Sequence, residues 1–482
     1  MSSIENQTSS DKKPKTVIIL TVLLSLLISG LVFTGWSSLF RRTPLTTFET
    51  VEDHFKYASI GTEAVEGIPY WIWVVMPRLF SEKLPAAGGY TSLGLTWEEG
   101  KEMPIGLTKE NIGIARVGLN CAVCHVGTVR DNPLSNPRIF PAAPSTKFDV
   151  QRYAQFLFNC AKDPRFTPGF ILPEIEYNHH LSLLENAFYR FLIIPQTRKA
   201  LLKQSEKLQW MENLPPTGSG RTDMNPLKIN VANLPDDSSV GSTDIMAIWN
   251  QKNHQGFSYH SDGINPSLRE AVLSSALATG TNPKEINLQS LNRIEEWLQE
   301  VPPPVYPYEV DRDLAQRGAK VFADNCSSCH GADSQKIGQV IPISEVGTDE
   351  NRLLHWTASA SEAMNNYASD YPWGFSQFRE TDGYVVPALD GLWAKAPYLH
   401  NGSVPSLFDL LNKASDRPKQ FYRGYDVYDQ ERVGFISTDS AAQESSFLFD
   451  TSVQGNGNSG HEFGTDLNAG DKNSLVEYLK TL

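Results

Sequence analysis

Cysteine is scarce, at 5 residues in a chain of 482, which excludes a disulfide scaffold as the source of stability. Basic charge is not in excess either. The chain carries 42 Lys and Arg against 55 Asp and Glu, net −13, so it has no electrostatic footprint for nucleic acid. Strand signals are sparse, because the Asn-Gly, Asp-Gly and Gly-Asn-Gly-Asn-Ser-Gly runs mark loops without flanking alternating apolar residues. No long apolar run follows Arg42, and no methionine follows Met364. With 40% apolar and 20% charged residues, the composition also excludes a disordered or fibrous chain and calls for two or three domains with real cores.

One long uncharged run is present, at 16–40, preceded by Lys12, Lys13 and Lys15. At about 1.5 Å per residue it reaches roughly 37 Å, enough to cross a bilayer with some tilt and too long for a cleaved signal peptide. The expectation is a cytoplasmic tail at 1–15 and a single uncleaved transmembrane signal anchor at 16–40. Arg41 and Arg42 flank the far side, so charge alone orients the span weakly. The acidic excess lies in the last third: residues 301–482 hold 14 Lys and Arg against 25 Asp and Glu. Solubility accounts for this, and an acidic docking face for a basic redox partner is the sharper reading.

Four of the five cysteines stand in two Cys-x-x-Cys-His motifs, Cys121, Cys124 and His125, then Cys326, Cys329 and His330. A haem joined by two thioethers needs two cysteines spaced to meet its two vinyl groups and a histidine directly after the second to bind iron. One turn of this motif supplies all three. A zinc ribbon needs four ligands per metal at closer spacing, and a redox dithiol has no use for the histidine. The expected cofactors are two covalently bound c-type haems, with His125 and His330 as proximal iron ligands. Cys160 reads as a buried small apolar residue.

Helical periodicity is expected at 148–162, 180–208, 267–279 and 285–301, in the stretch leading into Cys326, and at 471–482, where Asp471 reads as N-cap. Gly318 on the helix before Cys326 would let the last helix approach at Tyr478. The Val-Pro-Pro-Pro-Val-Tyr-Pro segment cannot continue a helix and reads as a stiff boundary. The expected fold class is mainly α, with two cytochrome c-like domains with long loops preceded by one N-terminal transmembrane helix. The divisions are a linker and N-terminal extension at 41–110, a first haem domain at 111–301, a Pro-rich linker at 302–307 and a second haem domain at 308–482.

Function turns on the opposite face of each iron, since two strong axial ligands make an electron carrier and an open sixth position binds O2 or peroxide. In the second domain the possible ligands are Met364, His355, His400 and His461, and His461 sits in a Gly-rich loop before the last helix. The first domain offers Met211, Met224, Met246, His179, His180, His254 and His260. His179 and His180 read as solvated, and His260 has Asp262 and a turn beside it.

The segment Ala-Leu-Asp-Gly-Leu-Trp-Ala-Lys-Ala-Pro-Tyr-Leu-His-Asn-Gly-Ser at 388–403 resembles a signature of the bacterial di-haem cytochrome c peroxidase superfamily. Together with both Cys-x-x-Cys-His motifs and the Phe-Ser-Tyr-His-Ser-Asp-Gly segment around His260, the resemblance runs from about residue 111 to the C-terminus. The Gly-His-Glu-Phe-Gly-Thr loop looks closest to the rubber-oxygenase-like di-haem branch. The resemblance implies that His400 lies near the second haem and that His461 is its sixth ligand, because the peroxidases' downstream Met is missing here. It implies a substrate-facing haem at His125, with His260 as the acid–base residue for peroxide or, for O2, an apolar pocket to which Phe156, Phe158 and Phe257 are candidates. It further implies attachment outside the inner membrane, hence a periplasmic body held by the anchor, and a periplasmic or membrane electron-transfer partner. The expected activity is oxidoreduction of a small oxidant, H2O2 or O2, with electron transfer between the haems. The alternative is a pure electron carrier with both irons six-coordinate.

Overall fold

The strand Ile114–Leu119 runs straight into the first Cys-x-x-Cys-His motif and is the centre of a three-stranded antiparallel sheet with Ile68–Pro69 and Leu107–Ile112. Asn120 ends it, fully buried. Its Nδ2 donates to the carbonyls of Phe55 (3.1 Å) and Ala58 (3.0 Å), and its Oδ1 accepts from Ala122 N–H (3.0 Å). One side chain thus locks the motif to the end of the helix Val51–Tyr57, which Thr50 caps by accepting from Asp53 N–H.

The computed structural model describes residues 18–23, 25, 26, 29, 30 and 44–482. The anchor expected at 16–40 is corrected: no helix among the described residues is long and apolar enough to cross a membrane. The helical residues described in that run are 18–23, 25, 26, 29 and 30. The rest of that run, and the tail at 1–15, lie outside the described residues. With the span go the fold class that placed a transmembrane helix before the two domains and the single-pass inner-membrane, periplasmic location built on it.

Within the linker and N-terminal extension expected at 41–110, Phe55, Ile60, Ile72, Trp73, Met76 and Phe80 are buried in the core. One continuous apolar cluster extends from Phe55 to Leu479. Strand is more frequent than the sequence indicated, with thirteen short strands in six small sheets among the described residues. Most strands run two to four residues, too short to show a period of two in sequence.

The main helices are Val150–Lys162, capped by Asp149; Leu268–Ala278, capped by Ser267; Leu288–Glu300; Arg312–Asn325, capped by Asp311; and Ala469–Leu479. Asn468 rather than Asp471 caps the last of these, accepting from Asp471 N–H at 3.0 Å. The span 180–208 is two helices, Leu183–Phe188 and Ile194–Lys207, joined by a π-helical turn. Residues 301–307 are extended and packed between the halves of the chain. Val301 accepts from Asn250 N–H (2.9 Å), and Pro304 accepts from the Trp393 indole N–H (2.7 Å).

Helix Arg312–Asn325 delivers Cys326 and lies against the final helix. The crossing point is Gly318, where a Cβ would run into the Ser474 carbonyl and lie 2.8 Å from Tyr478 Cβ. Phe322 and Tyr478 pack beside it with ring centroids 5.2 Å apart. Gly318→Ala would gain up to about 1 kcal/mol of helix propensity but must push two backbones apart, a cost of about 1–3 kcal/mol. The expected outcome in a denaturant titration is a net loss of stability, and a neutral or stabilising Ala would show that the contact is looser than described.

Candidate haem sites

Both Cys-x-x-Cys-His motifs are one tight turn. His125 N–H donates to the Cys121 carbonyl at 3.0 Å, and His330 N–H to the Cys326 carbonyl at 2.9 Å. Each histidine then uses its ring in the same way. His125 Nδ1 lies 2.9 Å from the Met246 carbonyl and His330 Nδ1 lies 3.3 Å from the Pro387 carbonyl. A carbonyl only accepts, so each Nδ1 carries the proton and each Nε2 presents a bare lone pair, the form that binds a metal. Burial holds both rings neutral, moving the His125 pKa down to about 4 and lowering that of His330.

The cysteines fit thioether attachment better than thiolate chemistry. None is in a disulfide, and burial pushes the thiols of Cys121 and Cys326 up to about 11 and that of Cys124 to about 12. A zinc ligand or a redox nucleophile needs the opposite shift. Cys160 is fully buried in the core, with its thiol likewise pushed up.

His461 comes to face His330. Their ring centroids are 6.3 Å apart. Two imidazoles sharing one metal, each nitrogen about 2.0–2.1 Å from it, have centroids roughly 6.2–6.4 Å apart, so the pair is spaced for one iron. The loop that carries His461 is held by Arg417, 2% exposed, whose guanidinium donates to the carbonyls of Asn458 (2.6 Å), Gly460 (2.8 Å) and His461 (3.2 Å). His461 N–H donates to the Val346 carbonyl at 2.7 Å. At Gly460, with φ of 76°, the loop passes so close to the Gly347 backbone that no side chain would fit. Burial and the His330 ring lower the His461 pKa to about 4.

His260 and His400 lie in two copies of one turn. In residues 259–270 and 398–409 a tyrosine N–H donates to a carbonyl six residues on, Tyr259 to Asn265 and Tyr398 to Val404, both at 2.7 Å. In each a glycine with positive φ makes the turn, Gly263 and Gly402, and a serine caps the following helix, Ser267 accepting from Glu270 N–H and Ser406 from Asp409 N–H. The turns meet at Thr243, whose hydroxyl contacts Ser261 Oγ (3.1 Å) and the His400 carbonyl (3.0 Å). Between them lies Arg352, paired with Asp262. Burial first, then the Arg352 charge, drives the pKa of both histidines down to about 3. A group that weakly basic is a poor proton acceptor at neutral pH, so its hydrogen-bonding capacity matters more than its basicity.

His125, His260, His330, His400 and His461 are each partly exposed, and burial is the first cause of every pKa shift. The Nε2 atoms of His260 and His400 and the Nδ1 of His461 have no hydrogen-bond partner, nor do Arg352 Nε and Nη1. Buried donors or acceptors left unmade cost about 1–3 kcal/mol each, and their concentration here fits a chain shaped around a polar-edged group such as haem.

The other candidates are placed elsewhere. His179 stacks on Trp71 with centroids 4.3 Å apart, and His180 is exposed. His254 lies on Asp390 at 3.3 Å and stacks on Phe257. Phe156 packs edge-on to Tyr90, and the ring contact of Phe257 is with His254. His355 faces Ser239, with Nδ1 2.8 Å from the hydroxyl. Trp249 was not singled out from sequence, having no motif around it. It is 1% exposed, three residues after the Met246 carbonyl that holds His125. Its indole N–H donates to the carbonyl of Asp390 (3.3 Å), three residues after the Pro387 carbonyl that holds His330, and Lys395 Nζ sits 5.4 Å from its ring. The indole therefore connects the two segments that orient the proximal histidines.

Comparison with known proteins agrees with this geometry. Residues 383–423 match the family model described as RoxA-like, cytochrome c-like, and residues 315–390 match the cytochrome c model. Uncharacterized protein y4iM of Sinorhizobium fredii is 31% identical over 283 residues, covering 50% of this chain and 64% of that protein. Uncharacterized protein y4iJ of the same organism is 26% identical over 474 residues, covering 77% of each. The chain thus spans a little under two thirds of y4iM's length. A Kuenenia stuttgartiensis hydrazine synthase, solved under 20 bar of xenon, aligns at 17% identity over 51% of this chain and 74% of its own, with a TM-score of 0.28, too loose a likeness to argue from. The matched segments contain the second Cys-x-x-Cys-His motif, the Pro387 carbonyl and the turn around His400, and over them the chain is similar to RoxA-like c-type cytochromes, a cytochrome c domain that implies covalently bound haem c.

Proposed function

We propose that the chain is a di-haem oxidoreductase in which the haem at Cys121, Cys124 and His125 faces a small oxidant, peroxide or O2, and the haem at Cys326, Cys329 and His330 relays electrons. The observation that carries this reading is an asymmetry. His330 has His461 opposite it with ring centroids 6.3 Å apart, whereas no imidazole comes into ring contact with His125 among the described residues. Haem supplies one-electron redox chemistry and, where a sixth position is open, a place for O2 or peroxide to bind.

The protein's own groups set the conditions for that chemistry. Met246 and Pro387 fix the proximal tautomers, and Arg417 fixes the loop that brings His461 to its place. Trp249 gives the segments behind the two proximal histidines an aromatic connection. Lys395, whose pKa burial lowers, lies over that indole and donates to Asp390 and to the Ala388 carbonyl. A redox partner with a basic docking face suits the acidic residues 301–482.

Carbon monoxide tests the reading. Reduced protein is expected to show a spectral shift on one haem out of two, and no shift on either would make the chain a carrier with both irons six-coordinate. His461→Ala is expected to add a second CO-binding haem, while His461→Met is expected to raise that haem's midpoint potential, since thioether ligation favours the reduced iron. An unchanged low-spin spectrum in His461→Ala would remove His461 from the iron.

A further inference from the structure

We infer that Arg352, His260 and His400 form a built carboxylate site that holds a haem propionate at the His330–His461 centre, an inference that rests on the di-haem reading above. Arg352 is 1% exposed and spends one nitrogen on Asp262, whose two oxygens lie 2.9 and 2.8 Å from Nη2. Nε and Nη1 remain, buried and without a partner. Nε2 of His260 and Nε2 of His400 are in the same condition. Asp262, which pairs with Arg352, lies two residues after His260, and Thr243 joins Ser261 (3.1 Å) to the His400 carbonyl (3.0 Å), so three side chains from three separate segments bring four unmade hydrogen-bonding groups to one place. A guanidinium with two free donors beside neutral imidazoles matches a carboxylate, and an interior carboxylate requires a cation and N–H donors of this kind.

The position of this cluster names the carboxylate. Val346, whose carbonyl holds His461 N–H, leads within six residues to Arg352. Asp349, in between, accepts from Gly457 N–H on the His461 loop (3.2 Å), and its carbonyl accepts from the Tyr384 hydroxyl (2.6 Å). Tyr384 stacks on His400 with centroids 3.8 Å apart. Three residues after Tyr384 comes Pro387, the residue that orients His330. The Val346 segment that holds His461 and the Pro387 segment that orients His330 therefore both continue directly into the Arg352 cluster. His355 is not a donor here, because its Nδ1 faces the Ser239 hydroxyl (2.8 Å) and carbonyl (3.2 Å) and so holds the ring's one proton.

The test uses the full-length holoprotein and resonance Raman spectroscopy of the reduced protein, which reads hydrogen bonding to haem propionates through their bending modes. Arg352→Met and His400→Gln are made separately, so that one variant serves if the other fails to fold, and haem content is measured in each by mass. The expected result is a shift of one propionate mode in either variant with both haems attached, together with a lower midpoint potential of the bis-His haem in Arg352→Met. Two attached haems with unshifted propionate modes would overturn the inference and leave the di-haem reading standing. A single attached haem in the unmodified protein would instead remove the di-haem reading, and the inference with it.

Discussion

A histidine placed directly after a cysteine in a tight turn has almost no freedom in its backbone and full freedom in its ring. The hydrogen bond from Nδ1 to a distant carbonyl removes that freedom, chooses the tautomer and aims Nε2. In this chain the carbonyls come from Met246 and Pro387, far from the histidines they serve. Neither motif is complete until the chain after it has folded back. Much of the architecture between the motifs is the apparatus for delivering those two carbonyls: the extended 301–307 segment, Trp249 wedged against Gly391, and the short strands around 340 and 384.

The second centre carries a further constraint that the first lacks. His461 reaches His330 on a loop with little regular structure, and irregular chain holds a ligand in place only if its backbone groups are satisfied. Arg417 does this by accepting no exposure and donating to five carbonyls at once, those of Leu410, Asn412, Asn458, Gly460 and His461. A planar fork of donors suits that task where lysine would not. The positive φ of His461 (46°) is sustained by the same contacts.

The covalent chemistry was legible in sequence because it is local, two motifs of five residues each, and the Gly318 crossing followed from a glycine on one helix and Tyr478 on the last, whereas the cap of that last helix was misplaced by three residues, at Asp471 instead of Asn468. The pairing of His461 with His330 needed a resemblance, since a loop histidine has no period or spacing that reveals its target. The long uncharged run at 16–40 misled, because apolar length states what a segment is able to do and not what it forms. The 51–110 region was passed over for the opposite reason: its aromatic and aliphatic residues pack through short helices and two-residue strands that leave no periodicity. Trp249 and Arg352 were invisible because their significance lies in which backbone segments converge on them.

The paired turns at 259–270 and 398–409 share tyrosine, an acid or its amide before glycine, then Pro-Ser-Leu and a capping acid. Their common geometry places the histidines one position apart in register, at His260 in the first and after Leu399 in the second. That offset has a physical consequence. Both turns need a residue with positive φ directly after the tyrosine, and His260 (63°) and Leu399 (69°) fill that role. His260 is therefore both the strained residue and the inward-facing one, while in the second turn the strain falls on Leu399 and leaves His400 free to stack on Tyr384. Two copies of one device thus each bring an unpartnered Nε2 toward a shared arginine from different positions of the turn. The asymmetry between the His125 and His330 centres is matched by asymmetry in the turns between them, and both follow from small changes made on a repeated framework.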